Sequence, residues 1–211
     1  HMKSFGLGQR LGVDLPSERP GIIPTAEYYD KIYGKNRWRS LTLISLSIGQ
    51  GEIAMTPLQM ANVAATIANK GYYYTPHIVK AIDDSVFDKS FIKRHETNIS
   101  KKYYDMVTEG MYQVVQGGPG ATAWFVALKD IAICGKTGTA QNPHGADHSI
   151  FMAFAPRENP KIAISVYVEN AGFGATWAAP IASLMIEKYL TDSITNKWRE
   201  AQILEKDFIH Q

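Results

Sequence analysis

Two apolar runs, Ser149–Ala155 and Lys161–Glu169, are separated by only the short polar link Pro156–Pro160. A link of that length closes a hairpin, so the two runs are predicted to pair as antiparallel strands. A third run, Ile131 to Thr139, precedes them and also reads as a strand. Upstream the hydrophobic period is that of helices. Thr56 is a good N-cap and Pro57 sits at the first helical position, where its missing N–H costs nothing. Met60, Val63, Ala64, Ile67 and Ala68 then share one stripe, and Gly71 closes the helix. Ser100 opens a second helix with Tyr104, Val107, Met111, Val114 and Val115 on its buried face, ended by Gly117-Gly118-Pro119-Gly120. A last helix, Pro180–Leu190, places Ile181, Leu184, Met185 and Lys188 together. Helices, then antiparallel strands, then a covering helix make an α+β pattern rather than an alternating βαβ one.

The remaining segments are shorter. Phe5–Pro24 holds too many glycines and prolines for a long helix and reads as a loop-like opening. Thr25–Tyr33 reads as a short helix stopped by Gly34. Leu41–Ile48 alternates weakly and ends at the turn Gly49-Gln50-Gly51. Tyr72–Lys80 is aromatic and β-branched, hence extended, and Ala81–Asn98 is a polar surface excursion. The 211 residues suffice to bury a core without staples. Lys and Arg number 22 against 20 Asp and Glu, and the charges are scattered, which argues against a nucleic-acid partner. One cysteine, Cys134, excludes an intramolecular disulfide. No apolar stretch approaches the ~18 residues a membrane span requires.

One stretch carries chemistry: Gly135-Lys136-Thr137-Gly138-Thr139-Ala140-Gln141. A lysine on a strand holds its ammonium rigidly, and glycine lets a ligand approach the backbone. Two hydroxyls beside that charge suit a carboxylate, and the N–H that follows the glycine suits an oxyanion. By itself Lys-Thr-Gly is a tripeptide that chance supplies.

Its surroundings are more specific. Gly12-Val13-Asp14-Leu15-Pro16, Ser47-Ile48-Gly49-Gln50-Gly51-Glu52-Ile53, Thr56-Pro57-Leu58-Gln59-Met60-Ala61 and Pro76-His77-Ile78-Val79 precede it. Gly120-Ala121-Thr122-Ala123 leads into it, and Asp147–Pro156 and Val168-Glu169-Asn170 follow. In this order the segments resemble the transpeptidase domain of class B penicillin-binding proteins, of the penicillin-binding protein 2 type, over about Phe5–Leu190. The resemblance implies a penicillin-binding protein/β-lactamase-like fold, an antiparallel sheet flanked by helices. Of the motif trio Ser-x-x-Lys, Ser-x-Asn and Lys-Thr-Gly, it places only the third in this chain. The string Ser90-Phe91-Ile92-Lys93 falls in a polar stretch and is read as coincidental. On this reading His1-Met2 is the scar of a cleaved tag, 3–190 the C-terminal part of the domain and 191–211 a helical tail.

The function implied is serine acyl transfer that cross-links wall stem peptides, with this chain inactive alone. Lys136 and Thr139 carry the catalytic expectation; Thr137, Gly138, Thr139 and His148 carry substrate binding. The implied partners are a stem peptide ending in D-Ala-D-Ala, β-lactam antibiotics and a glycosyltransferase of the parent protein. No cofactor or metal is expected, and the parent belongs at the inner membrane with this domain on the periplasmic side. The alternatives are a serine β-lactamase or β-lactam-sensing domain, and a non-catalytic wall-binding or interaction domain of the same fold. Blander readings stand beside these. Lys136 suits an edge strand that resists aggregation. His144, His148 and Cys134 form no complete ligand set. Tyr72-Tyr73-Tyr74 suits glycan stacking or a half-buried strand, and Trp124-Phe125 a cleft edge or packing.

Overall fold

The computed structural model describes residues 1–82, 85–86 and 90–207. Its elements are α1 (Ala26–Tyr33), α2 (Ser40–Ser47), α3 (Pro57–Ala68), β1 (Tyr72–Tyr73), β2 (Ala81–Ile82), β3 (Ser85–Val86), β4 (His95–Glu96), α4 (Lys102–Gln116), β5 (Cys134–Ala140), β6 (His148–Ala155), β7 (Ile162–Val168), α5 (Ala178–Thr191) and α6 (Lys197–Leu204). The main sheet is antiparallel with order β5-β6-β7. Its register sets Cys134 opposite Phe154, Gly138 opposite Ile150, Thr139 opposite Ser149, and Ala155 opposite Ile162.

Strand alternation gives this sheet two different faces. On one, Phe151, Ala153, Ala155 and Ile164 pack against Ala178, Ala179, Ala182 and Ile186 of α5. Small residues on the helix let it sit close to the sheet. On the other, Cys134 and Phe154 pack against Ile67 of α3 and Tyr104 and Met111 of α4. These two helices cover one end of that face, and Lys136, Ile150, Met152 and His148 lie beyond them.

The glycine- and proline-rich opening cannot supply its own hydrogen bonds, so side chains from elsewhere do. Thr56 and Gln59 form a capping box at the start of α3: each side chain accepts the other's backbone N–H, at 3.1 and 3.0 Å. The same Gln59 amide nitrogen, fully buried, reaches the carbonyls of Gly6, Gln9 and Pro20 at 3.3, 3.0 and 2.9 Å. One turn on, Asn62 donates to the Phe5 carbonyl. Glu18 accepts the backbone N–H groups of Leu11, Gly12 and Val13. Asp14 accepts those of Ile78 and Val79, and the Val79 N–H foremost holds its carboxyl below the usual carboxylate value. That latch contributes at neutral pH and is lost as pH falls through the lowered value.

The expected elements recur with specific changes. The weak alternation of Leu41–Ile48 does not become a strand: among the described residues no strand pairs with it, and it coils as α2, which buries none of its residues. Tyr72–Lys80 yields only a two-residue strand; Tyr73 is buried, stacks on His95 at 4.9 Å, and so serves packing. The second helix begins at Lys102, two residues after Ser100, and Val107 is exposed while Thr108 is buried. In α5 the expected stripe splits: Leu184 is buried and Ile181 half-buried, while Met185 and Lys188 are exposed, because the small residues Ala178, Ala179, Ala182 and Ser183 take the sheet side. The tail forms α6, whose Asn196 cap accepts the Arg199 N–H. Part of the excursion, 83–84 and 87–89, and the end of the tail, 208–211, lie outside the described residues.

Replacing Gln59 by Leu keeps the side chain's bulk but strands three carbonyls and a backbone N–H. Urea unfolding is expected to show a loss of about 2–4 kcal/mol. A loss below ~0.5 kcal/mol would mean that the opening segment does not depend on this amide.

Candidate active site

β5 is an edge strand, and its one-sided pairing organises the candidate site. In an antiparallel ladder, successive residues turn their N–H and C=O groups alternately toward the partner and away. The Thr137 carbonyl accepts the Lys136 ammonium at 2.6 Å, and the Thr139 carbonyl accepts the Gln50 side-chain amide at 3.1 Å. Both carbonyls are therefore on the outer edge, together with their own N–H groups, while Lys136, Gly138 and Ala140 bond toward β6. Side chains follow the other alternation. Lys136 and Gly138 share a face with Ile150, Met152 and His148, and Thr137 and Thr139 share the opposite face with Ser149 and Phe151.

Lys136 is exposed, and Thr137, Gly138 and Thr139 are half-buried. The Thr139 hydroxyl accepts the Gly174 N–H at 3.3 Å, which leaves its own proton free to donate. Behind the strand, Ser149 Oγ donates to the Phe173 carbonyl and accepts the Ala178 N–H, which pins segment 171–178 to the sheet. Gly174 lies directly on the bare backbone of the Gly138–Ile150 pair. A Cβ there would stand 2.2 Å from the Gly138 oxygen and 2.4 Å from the Ile150 oxygen.

The two other glycines of the motif differ in kind. A Cβ on Gly135 would meet the Phe151 ring at 2.3 Å, so packing alone demands that glycine. A Cβ on Gly138 would meet only Ile150, at 3.4 Å, an ordinary contact. The fold does not require a glycine at 138, whose open side faces outward beside Lys136.

His148 lies on the same face, opposite Ala140. Its Nδ1 accepts the Asn170 N–H at 3.1 Å, and its ring tilts against Tyr167 at 5.3 Å. Asn170 also accepts the Asn142 amide, which ties the β5–β6 hairpin to the segment after β7. His144 is exposed in that hairpin, and Cys134 is buried at the far end of β5. Among the described residues no three His, Cys, Asp or Glu side chains converge as metal ligands. Trp124 and Phe125 form an edge-to-face pair whose backbone is held by α6 and α5: Arg199 donates to the Phe125 carbonyl and Ser183 to the Val126 carbonyl. Ser90 lies in an exposed turn of the excursion. Cavities of about 630, 400 and 380 Å³ are lined by other residues, and Lys136 itself stands exposed on β5.

The residue that sequence reasoning left without a role is Gln50. Its signal was its position between Gly49 and Gly51, where a helix stop aims one side chain at β5.

Register and helix order together define an α+β fold whose antiparallel sheet carries Lys-Thr-Gly on its first strand. Residues 1–187 match the penicillin binding protein transpeptidase domain, and the chain belongs to that family. It is 35% identical to the peptidoglycan D,D-transpeptidase MrdA of Haemophilus influenzae over 92% of its length and 32% of the relative's. Among solved structures it resembles Pseudomonas aeruginosa PBP2 in complex with WCK 5153, with TM-score 0.81, 34% identity, and coverage of 91% of this chain and 42% of that one. It also resembles PBP2 of Helicobacter pylori in complex with MreC, with TM-score 0.76, 30% identity, and coverage of 91% and 35%. The chain thus spans about a third of the length of the curated relatives it matches. No helix among the described residues is long and apolar enough to cross a membrane.

Burial pushes the Cys134 thiol up to about 11, so at pH 8 it stays protonated and is no second nucleophile. Iodoacetamide at pH 8 is expected to alkylate the native chain at least ~100-fold more slowly than the urea-unfolded chain. Equal rates would show that the β5–α4 contact opens freely.

Proposed function

We propose that this chain forms the Lys-Thr-Gly wall of a serine D,D-transpeptidase whose Ser-x-x-Lys and Ser-x-Asn motifs belong to the longer protein. The observation that carries this reading is the open edge of β5, where Thr137 and Thr139 turn backbone donors and acceptors outward beside the Lys136 ammonium. An extended acyl chain adds to such an edge as a further strand. In that pose the Thr139 N–H is one oxyanion donor, and the nucleophile's own N–H is the other. The hydroxyls of Thr137 and Thr139 bind the terminal carboxylate, with the lysine's charge assisting. His148 shapes the end of the site.

The reaction proceeds in two steps. The serine oxygen attacks the D-Ala–D-Ala carbonyl and passes its proton to a lysine. The C–N bond breaks, and D-alanine leaves as the amine that takes up that proton. An amine of a neighbouring stem peptide then attacks the ester, which forms the cross-link and restores the serine. Lys136 orients the Ser-x-Asn serine and moves its proton. A β-lactam enters by the same first step, but its leaving nitrogen stays tethered by the opened ring. The substrate is the peptidoglycan stem peptide, and the parent works with a glycosyltransferase from the inner membrane, with this domain on the periplasmic side.

With a fluorescent penicillin, this chain alone is expected to give no band stable to denaturing gel electrophoresis, whereas the full-length protein gives one. In the full-length protein, Lys136→Ala should slow acylation at least ~100-fold with a melting temperature within a few degrees of the parent. Normal acylation by Lys136→Ala would sink the reading. A band on the isolated chain that survives Ser90→Ala would mean that a nucleophile lies elsewhere in it.

A further inference from the structure

The block Ser47–Gln59 is one continuous device. α2 ends in a Schellman stop: the Gly49 N–H donates to the Leu46 carbonyl at 3.0 Å, and the Gln50 N–H donates to the Ser45 carbonyl at 2.9 Å. Gly49 takes the left-handed conformation this stop needs, with φ of +77°. Gly51 follows with φ of +73°, and Ala54 then exchanges two backbone hydrogen bonds with Ile22, at 2.7 and 3.0 Å. Thr56 opens α3 through its capping box. Gln50 is therefore held at both ends, by a helix stop before it and by a β-bridge and a helix start after it. Its side chain spans 89 positions of sequence to the Thr139 carbonyl on the outer edge of β5.

We infer that Gln50 is a positioning residue of the active site. Its amide N–H fixes the Thr139 carbonyl, and with it the direction in which the outer edge of β5 meets an incoming acyl group. It touches the strand and not the reacting atoms. The position also explains the chemistry of the side chain: a primary amide donates to a backbone carbonyl without adding charge beside the oxyanion. An arginine or lysine there would compete with Lys136 for the substrate carboxylate. This inference rests on the transpeptidase reading.

The test uses the full-length protein and stopped-flow acylation by a penicillin, resolved into binding and chemical steps. Gln50→Met keeps length and volume but loses the donor; Gln50→Glu keeps the shape and sets an acceptor against a carbonyl. Both are expected to reduce the acylation rate constant about five- to tenfold, with the larger loss for Glu and a melting temperature within about two degrees. Gly49→Ala, which strains the stop that delivers Gln50, should reproduce the defect, and combining it with Gln50→Met should add little. In the isolated chain, Gln50→Met should also shift the Ala140 amide nitrogen resonance, since that nitrogen adjoins the Thr139 carbonyl. Unaltered acylation by Gln50→Met in a protein whose parent form acylates normally would overturn the role of Gln50 alone. So would a fall in acylation matched by unfolding, or an unmoved Ala140 resonance. Absence of acylation in the unaltered full-length protein would overturn the transpeptidase reading and this inference with it.

Discussion

β5 is bonded to β6 on one side and, among the described residues, to no strand on the other. That one-sided pairing sorts the motif into two sets. Lys136, Gly138 and Ala140 spend their backbone groups inside the sheet, and Thr137 and Thr139 present theirs to the outside. Register makes the sorting strict, because a slip by one residue would exchange the sets and turn Lys136 to the face that α5 covers. The sheet resists such a slip. Phe151 can lie over position 135 only because that residue is glycine, and segment 171–178 can lie on the Gly138–Ile150 pair only because residue 174 is glycine. The site's geometry is thus a consequence of core packing on the opposite face.

The helical layer serves the same strand from a distance. α3 and α4 pack on the Cys134 end of the sheet, while Lys136 is exposed and Ile150, Met152 and His148 are half-buried. The residues that begin and end the helices also hold the irregular chain: Gln59 caps α3 and gathers the opening segment, and Gln50 ends α2 and reaches the Thr139 carbonyl. A family motif that reads as a string of small and polar residues is, physically, a helix stop, a β-bridge and a helix start in succession.

Much of this was legible in the chain. The five-residue link predicts the β6–β7 hairpin, and Thr56-Pro57 predicts the start of α3, because both depend on local chemistry. The α+β order and the family likeness also follow from the residues. What was hidden depends on partners far away in sequence. Leu41–Ile48 alternates weakly, yet it is helical: it ends at the Gly49 stop, and among the described residues no strand pairs with it. The sheet-facing side of α5 carries little sequence signal, because alanines and a serine, weak in a hydrophobic count, are what a close helix–sheet contact selects. Gln50 carried no periodic signal, because its contact is 89 positions away. At Gly138 the fold leaves room for a Cβ, so packing does not demand that glycine as it demands Gly135.

Amide hydrogen exchange along β5 tests the central claim most directly. On the isolated chain, resolved residue by residue, the Thr137 and Thr139 amides should exchange at least ~100-fold faster than those of Lys136, Gly138 and Ala140. Comparable protection at all five positions would contradict the open edge on which this account of the site depends.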